Sequence, residues 1–299
     1  MEYVLRWGID LIVTIQKIHS PALDSFFRAI TFMGNEPFYL LLLPLWLWCV
    51  DFGFGARLTV FFLLASYGNG GLKDLFQQPR PFQLNPAVGL LHAGGYGLPS
   101  GHAQSAVVVW GGIAAWARNS WFWIVAIGLI FLIGFSRIYL GVHFPTDVIA
   151  GWMIGLFLLS LYLVTHRRIE NWLTTCGLGL QIFVAVTVPF VLLLIHPTRH
   201  TIATTAVLMG VGLGLALTHR YRPFNTQGPW WQRLFRFLTG GAVIFLFYVG
   251  LKALFPHEDS ALYPVFRFVR YLVIGLWASF GGPWLFRVIR LASAERAPA

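Results

Sequence analysis

Apolar residues run along this chain in blocks close to the roughly 20 positions that a helix needs to cross bilayer hydrocarbon, and short polar stretches separate the blocks. The blocks lack the strict alternation of barrel strands, so the pattern predicts helices. Residues 3–18 are apolar at helical spacing but broken by Arg6, Asp10 and Lys17, which reads as an interfacial helix. Residues 25–32 form a second amphipathic segment of the same kind. Spans follow at 37–50, 58–75, 100–117, 121–139 and 145–164, the last closed by His166-Arg167-Arg168. Four more apolar runs cover 173–195, 198–217, 240–254 and 265–286, with spacers at 196–200, 220–236 and the acidic His257-Glu258-Asp259. The expectation is an all-α, polytopic membrane bundle of about nine spans. It forms one membrane domain, with a catalytic half over residues 1–166 and supporting spans over 167–299.

Composition agrees with that pattern. The 299 residues are 57% hydrophobic and 11% charged, far from the quarter or so of charged residues in soluble domains. A net charge of +10 in a soluble protein would raise nucleic-acid binding. Here the basic residues cluster in short loops between spans, where they set topology instead. The start, Met1-Glu2-Tyr3, has no basic region ahead of an apolar core, so no cleaved signal is expected. Cys49 and Cys176 are too few for a disulfide framework or a four-ligand zinc site and read as free packing residues.

Chemistry concentrates around one stretch, Ser136-Arg137-Ile-Tyr-Leu-Gly-Val-His143-Phe-Pro-Thr-Asp147. Ionisable side chains this close to hydrocarbon are costly and point to a site. Pro145 suits the first helical position, which sets His143 just outside the helix and Asp147 in its first turn. There a carboxylate can accept one imidazole N–H and leave the other nitrogen free as an oriented base or nucleophile. Counting spans brings Lys73, Arg80, Ser100, His102, Arg137, His143 and Asp147 to one membrane face. Of the 21 Lys and Arg residues, eleven fall on the other: Arg57, Arg118, Arg167, Arg168, Arg220, Arg222, Arg233, Arg236, Arg287, Arg290 and Arg296. That bias orients the site outward, on the extracytoplasmic side, with the amino terminus outside. Two guanidinium groups and an ammonium converging there favour a tetrahedral oxyanion. Ser100 and Gly101 open a helix whose free N–H groups favour the same anion. The glycines Gly210, Gly212 and Gly214 lie inside an apolar run with no preceding strand, so they read as close helix packing, as do Gly151 and Gly155.

Taken together, Lys73-x6-Arg80-Pro81, Pro99-Ser100-Gly101-His102 and Ser136-Arg137-x5-His143-x3-Asp147 resemble the three-part signature of the type 2 phosphatidic acid phosphatase and haloperoxidase superfamily, over roughly residues 70–155. The resemblance implies that His143, oriented by Asp147, attacks phosphorus, and that His102 protonates the leaving oxygen and later deprotonates water. Lys73, Arg80, Ser100, Gly101 and Arg137 would hold the phosphate. No carboxylate cluster is available for magnesium, so a metal-independent, cofactor-free reaction is expected. The expected partners are a lipid phosphate substrate and the surrounding membrane lipids, with no nucleic acid, in a multi-pass protein of the bacterial inner membrane. The Lys-Asp and Tyr-Gly-x-Pro-Ser elements look like those of sphingosine-phosphate phosphatases and bacterial lipid phosphatases. The nine-span layout is also similar to glucose-6-phosphatases, and a non-catalytic transporter or scaffold of the same fold is a further rival. Leu84, Val88, Leu90 and Leu91 are candidates to border a lipid tail.

Overall fold

The computed structural model describes residues 2–221, 223–257 and 259–292. Arg222, Glu258 and Arg296, counted among the charges above, lie outside the described residues. The longer helices are α1 (Glu2–Gln16), α2 (Pro21–Phe32), α3 (Glu36–Val50), α4 (Phe52–Phe76), α5 (101–117), α6 (Ser120–Tyr139), α7 (Pro145–Thr175), α8 (Leu178–Ile195), α9 (Arg199–Tyr221), α10 (Trp230–Leu254) and α11 (Tyr263–Val288).

Each segment read as a span is helical, and the fold is all-α as expected. Among the described residues, six helices, α6 to α11, are long and apolar enough to cross a membrane. The chain is an integral membrane protein. The other three differ for simple reasons: α3 is a shorter apolar helix, α5 stops at the left-handed Arg118 (φ 51°), and α4 carries Arg57, Lys73 and Asp74. Boundaries shift where polar residues are good helix formers. Thus α7 continues past His166-Arg-Arg to Thr175, and α10 begins at Trp230, inside the stretch read as a basic loop. Helix starts follow local chemistry: Ser20 accepts from the Leu23 N–H ahead of α2, and Asn119 from the Trp121 N–H ahead of α6.

Contacts divide the chain into two units, residues 1–39 with 68–164 and residues 40–67 with 165–299. Residues 40–67, which the sequence reading groups with the catalytic half, therefore cluster with the carboxyl-terminal helices.

In the first unit, small residues let α7 lie against α5. A Cβ on Gly151 would meet the Ser100 carbonyl oxygen at 2.6 Å, and one on Gly155 would meet Val107 Cβ at 2.8 Å. The two amino-terminal helices also bury a face here, beyond their predicted interfacial character. Ile12 of α1 is fully buried beside Val88, Phe144 and Val148, and Gly8 abuts the Phe144 ring. Phe27 of α2 packs on Tyr139, with ring centroids 4.4 Å apart. Gln16 ties α1 to two carbonyls, Val88 at 2.9 Å and Tyr139 at 2.8 Å. The proposed tail contacts are corrected: Val88 is 1% exposed, and Leu90 and Leu91 pack against Phe27, Tyr139, Leu140 and Val142. Of the four, Leu84 alone stays open, at 48% exposure.

In the second unit, α9 and α11 approach through glycine as expected. A Cβ on Gly210 would meet the Leu272 carbonyl oxygen at 2.1 Å, and one on Gly214 would meet Ser279 Oγ at 2.0 Å. Arg236, counted from sequence as a loop charge, is fully buried. Its guanidinium donates to the carbonyls of Leu291, Trp48, Thr226 and Gln227, so a buried cation is held by carbonyl dipoles.

Candidate active site

The seven side chains predicted to form the site all belong to the first unit. His143 lies in the turn between α6 and α7 and is 2% exposed; Asp147, in the first turn of α7, is 0% exposed. His143 Nδ1 lies 3.3 Å from Asp147 Oδ2, while Arg80 Nη1 lies 3.1 Å from His143 Nε2. A guanidinium only donates, so Nε2 is the accepting nitrogen and Nδ1 carries the proton. The imidazole is therefore fixed in the tautomer that leaves a lone pair on Nε2. Burial first, then the positive charges of Arg80, Lys73 and Arg137 and the neighbouring His102, push the His143 pKa well below its ordinary value.

Asp147 is itself held from three sides. Oδ2 also accepts from the Phe144 N–H at 2.9 Å, and Oδ1 accepts from Gln78 Nε2 at 2.6 Å. Gly97 permits this approach, because a Cβ there would meet Asp147 Oδ2 at 3.0 Å.

Arg80 is 4% exposed, and burial pulls its pKa down to about 10, with Asp147 opposing; it stays cationic at neutral pH. It donates to the carbonyls of Gly95 (2.8 Å), Gly94 (2.8 Å) and Val142 (2.9 Å). Lys73 Nζ donates to the Tyr96 and Gly97 carbonyls at 2.6 and 3.2 Å, leaving a third N–H. Arg137, at the end of α6, donates Nη1 to Thr31 Oγ1 at 2.5 Å. Its buried Nε has no hydrogen-bond partner among the described residues, and a buried donor of this kind fits an oxyanion ligand.

Ser100 caps α5, accepting from the Ala103 N–H, and its own N–H donates to the Asp147 carbonyl at 2.9 Å. A Cβ on Gly101 would meet Asn69 Oδ1 at 2.9 Å. In the first turn of α5, half-buried His102 donates Nε2–H to Asn35 Oδ1 at 2.9 Å. Sequence reasoning missed Gln78, Thr31 and Asn35. Gln78 lies two residues before Arg80, inside the signature spacing, and was within reach of the argument. Thr31 and Asn35 carry no local signal, because their partners are more than 60 residues away in sequence.

The PAP2 superfamily profile matches residues 54–171, and that of the PAP2 superfamily phosphatase transmembrane extension matches residues 202–295. The chain is 28% identical to lipid phosphate phosphatase delta of Arabidopsis thaliana, covering 80% of this chain and 64% of that protein. It is 30% identical to sphingosine-1-phosphate phosphatase 1 of Mus musculus, covering 67% of this chain and 49% of that one. The chain thus spans half to two thirds of the length of these relatives. Among solved structures, it is similar to the first transmembrane PAP2 type phosphatidylglycerolphosphate phosphatase from Bacillus subtilis, with a TM-score of 0.51 and 27% identity over 56% of this chain and 89% of that one. The chain belongs to the PAP2 superfamily.

Proposed function

We propose that this chain is a membrane phosphatase that hydrolyses a lipid phosphate or diphosphate through a phosphohistidine on His143, without a metal. The observation that carries the reading is the neutral imidazole of His143, with Nδ1–H on Asp147 and the Nε2 lone pair facing Arg80. A phosphate oxygen bound to that guanidinium stands beside the attacking nitrogen. Nε2 attacks phosphorus as the bond to the leaving oxygen breaks, and His102 gives that oxygen a proton. His102 then takes a proton from water, whose oxygen displaces Nε2 and releases inorganic phosphate. Lys73, Arg80 and Arg137 stabilise the charge on the five-coordinate phosphorus, the work a metal ion would otherwise do. Ser100 and Gly101 present the start of α5 to the same anion.

The substrate class follows from the setting: the site residues stand at the ends of apolar helices, so a phosphate can reach them while its tail stays in lipid. The relatives' names, a lipid phosphate phosphatase and a sphingosine-1-phosphate phosphatase, support a lipid over a soluble sugar phosphate. The excess of basic residues on the other face supports an extracytoplasmic site in a cell membrane.

Phosphate release by the purified protein in detergent micelles tests this reading against a long-chain alkyl monophosphate, a prenyl diphosphate and glucose 6-phosphate. The expected result is turnover of a lipid ester and acid-labile phosphate on His143. Comparable turnover of glucose 6-phosphate, with no dependence on chain length, would overturn the lipid reading.

A further inference from the structure

We infer that Asn35, at the junction of α2 and α3, is a positioning residue for His102 and selects which imidazole nitrogen exchanges the proton with the leaving group. The inference rests on the proposed phosphatase reaction and adds to it a residue outside the three-part signature.

Two independent contacts carry it. Asn35 Oδ1 lies 2.9 Å from His102 Nε2, and the preceding residue, Gly34, lies close against the same side chain. A Cβ on Gly34 would meet His102 Cδ2 at 2.2 Å and Cγ at 2.7 Å. One residue thus accepts the ring N–H while the other gives the ring room, and the imidazole is set in both rotation and tautomer. The use of Asn35 is unusual for its place. Its backbone carbonyl accepts from the Phe38 and Tyr39 N–H groups, so it stands at the N-cap of α3. A side-chain oxygen at an N-cap ordinarily turns inward to the helix's own N–H groups; here it is turned to His102 instead. With Nε2–H committed to the amide oxygen, Nδ1 is the nitrogen that must carry the proton to the leaving oxygen and take one back from water. The same segment holds the phosphate clamp, through Thr31 on Arg137, so α2 and its exit turn support both the acid and the clamp.

The test compares two esters that differ in their need for an acid, a long-chain alkyl phosphate and p-nitrophenyl phosphate, whose leaving group departs without a proton. General acid–base help contributes about 10²–10⁴-fold. Asn35→Ala is therefore expected to lower kcat for the alkyl ester by about 100-fold and for p-nitrophenyl phosphate by less than tenfold. His102→Ala should show the same pattern, and adding Asn35→Ala to it should cost little more, because both act through one group. Asn35→Asp, nearly isosteric, keeps the acceptor and adds charge, so it should recover activity toward the alkyl ester and move the alkaline limb of the pH profile upward. Should Asn35→Ala fail to fold, that displacement in Asn35→Asp decides the question. Equal losses on both esters in Asn35→Ala, or an unmoved alkaline limb in Asn35→Asp, would overturn the inference. A wild-type protein inert toward the alkyl ester, or a His102→Ala variant lacking the leaving-group pattern, would instead count against the proposed reaction.

Discussion

Replacing Asp147 by Asn is a near-isosteric change, yet the structure predicts a large loss. The carboxylate accepts three N–H groups, from Gln78, Phe144 and His143, and an amide has one acceptor oxygen. Its NH2 must therefore face a donor. If the amide oxygen stays with the fixed backbone N–H of Phe144, the NH2 meets Gln78, whose own amide can flip to accept. The amide oxygen then accepts from Phe144 and His143 as Oδ2 does now, but the negative charge that polarised the imidazole is gone. If the amide turns the other way, its NH2 confronts His143 Nδ1, and the ring must change tautomer. That moves the proton to Nε2, the nitrogen that should attack phosphorus. Wrong-tautomer substitutions of this kind cost about 10⁴-fold in serine proteases, or about 5.4 kcal/mol at about 1.36 kcal/mol per decade. The expectation here is a fall in kcat of about 10³–10⁴-fold with KM little changed, since Lys73, Arg80 and Arg137 still bind phosphate. Single-turnover phosphate release, with trapping of the phosphoenzyme and a thermal-unfolding check, measures it. An Asp147→Asn protein that folds and keeps kcat within tenfold of wild type would refute the tautomer argument.

The remaining expectations are briefer. The His143 pKa is lowered in the folded protein, so below its unfolded value near 6.5 the unfolded chain takes up a proton that the folded one refuses. His143 thus contributes stability above that pH, lost as pH falls, and the decline in Tm from pH 7.5 to 5.5 should be shallower in His143→Gln. Gly151→Ala forces a methyl toward the Ser100 carbonyl oxygen, 2.6 Å away, and should destabilise by about 1–3 kcal/mol in denaturant titration while also lowering kcat, because it pushes α5 from α7. Vanadate, which resembles five-coordinate phosphorus, should inhibit, and EDTA should leave activity unchanged; loss in EDTA restored by magnesium would contradict a metal-free site. With Cys49 and Cys176 replaced, an impermeant thiol reagent on intact cells should label Ala87→Cys and spare Gln227→Cys. The reverse pattern would invert the proposed orientation.

Residues whose partners are close in sequence were legible before the structure. Pro145 starting a helix with Asp147 in its first turn predicts the His143 pairing from five consecutive residues alone, and the fixed signature spacings bring Lys73, Arg80 and His102 to the same end of the bundle. What the sequence concealed is contact across large separations. Asn35 and Thr31 sit in a segment whose amphipathic pattern speaks only of an interface, and nothing local says that its polar side chains reach His102 and Arg137. The loop is a similar case: Leu90 and Leu91 read from sequence either as a border for a lipid tail or as loop packing, and folding half-buries them against Phe27, Tyr139, Leu140 and Val142. Arg236 shows the converse, a charge assigned to water that folding seals among carbonyl groups.

Arg80 fastens three segments with one side chain: its own turn, the Gly94-Gly95 bend and the Val142-His143 turn. The stretch between residues 77 and 99 is therefore not an exchangeable insertion. A chimera that imports this stretch from another superfamily member must bring carbonyl groups to the same two places, or the guanidinium will settle elsewhere and carry the nucleophile's turn with it. Grafts that keep Arg80 yet shorten the chain before Gly94 should assemble their helices and still be inactive, and lengthening the loop beyond Leu84 but ahead of Gly94 should be better tolerated.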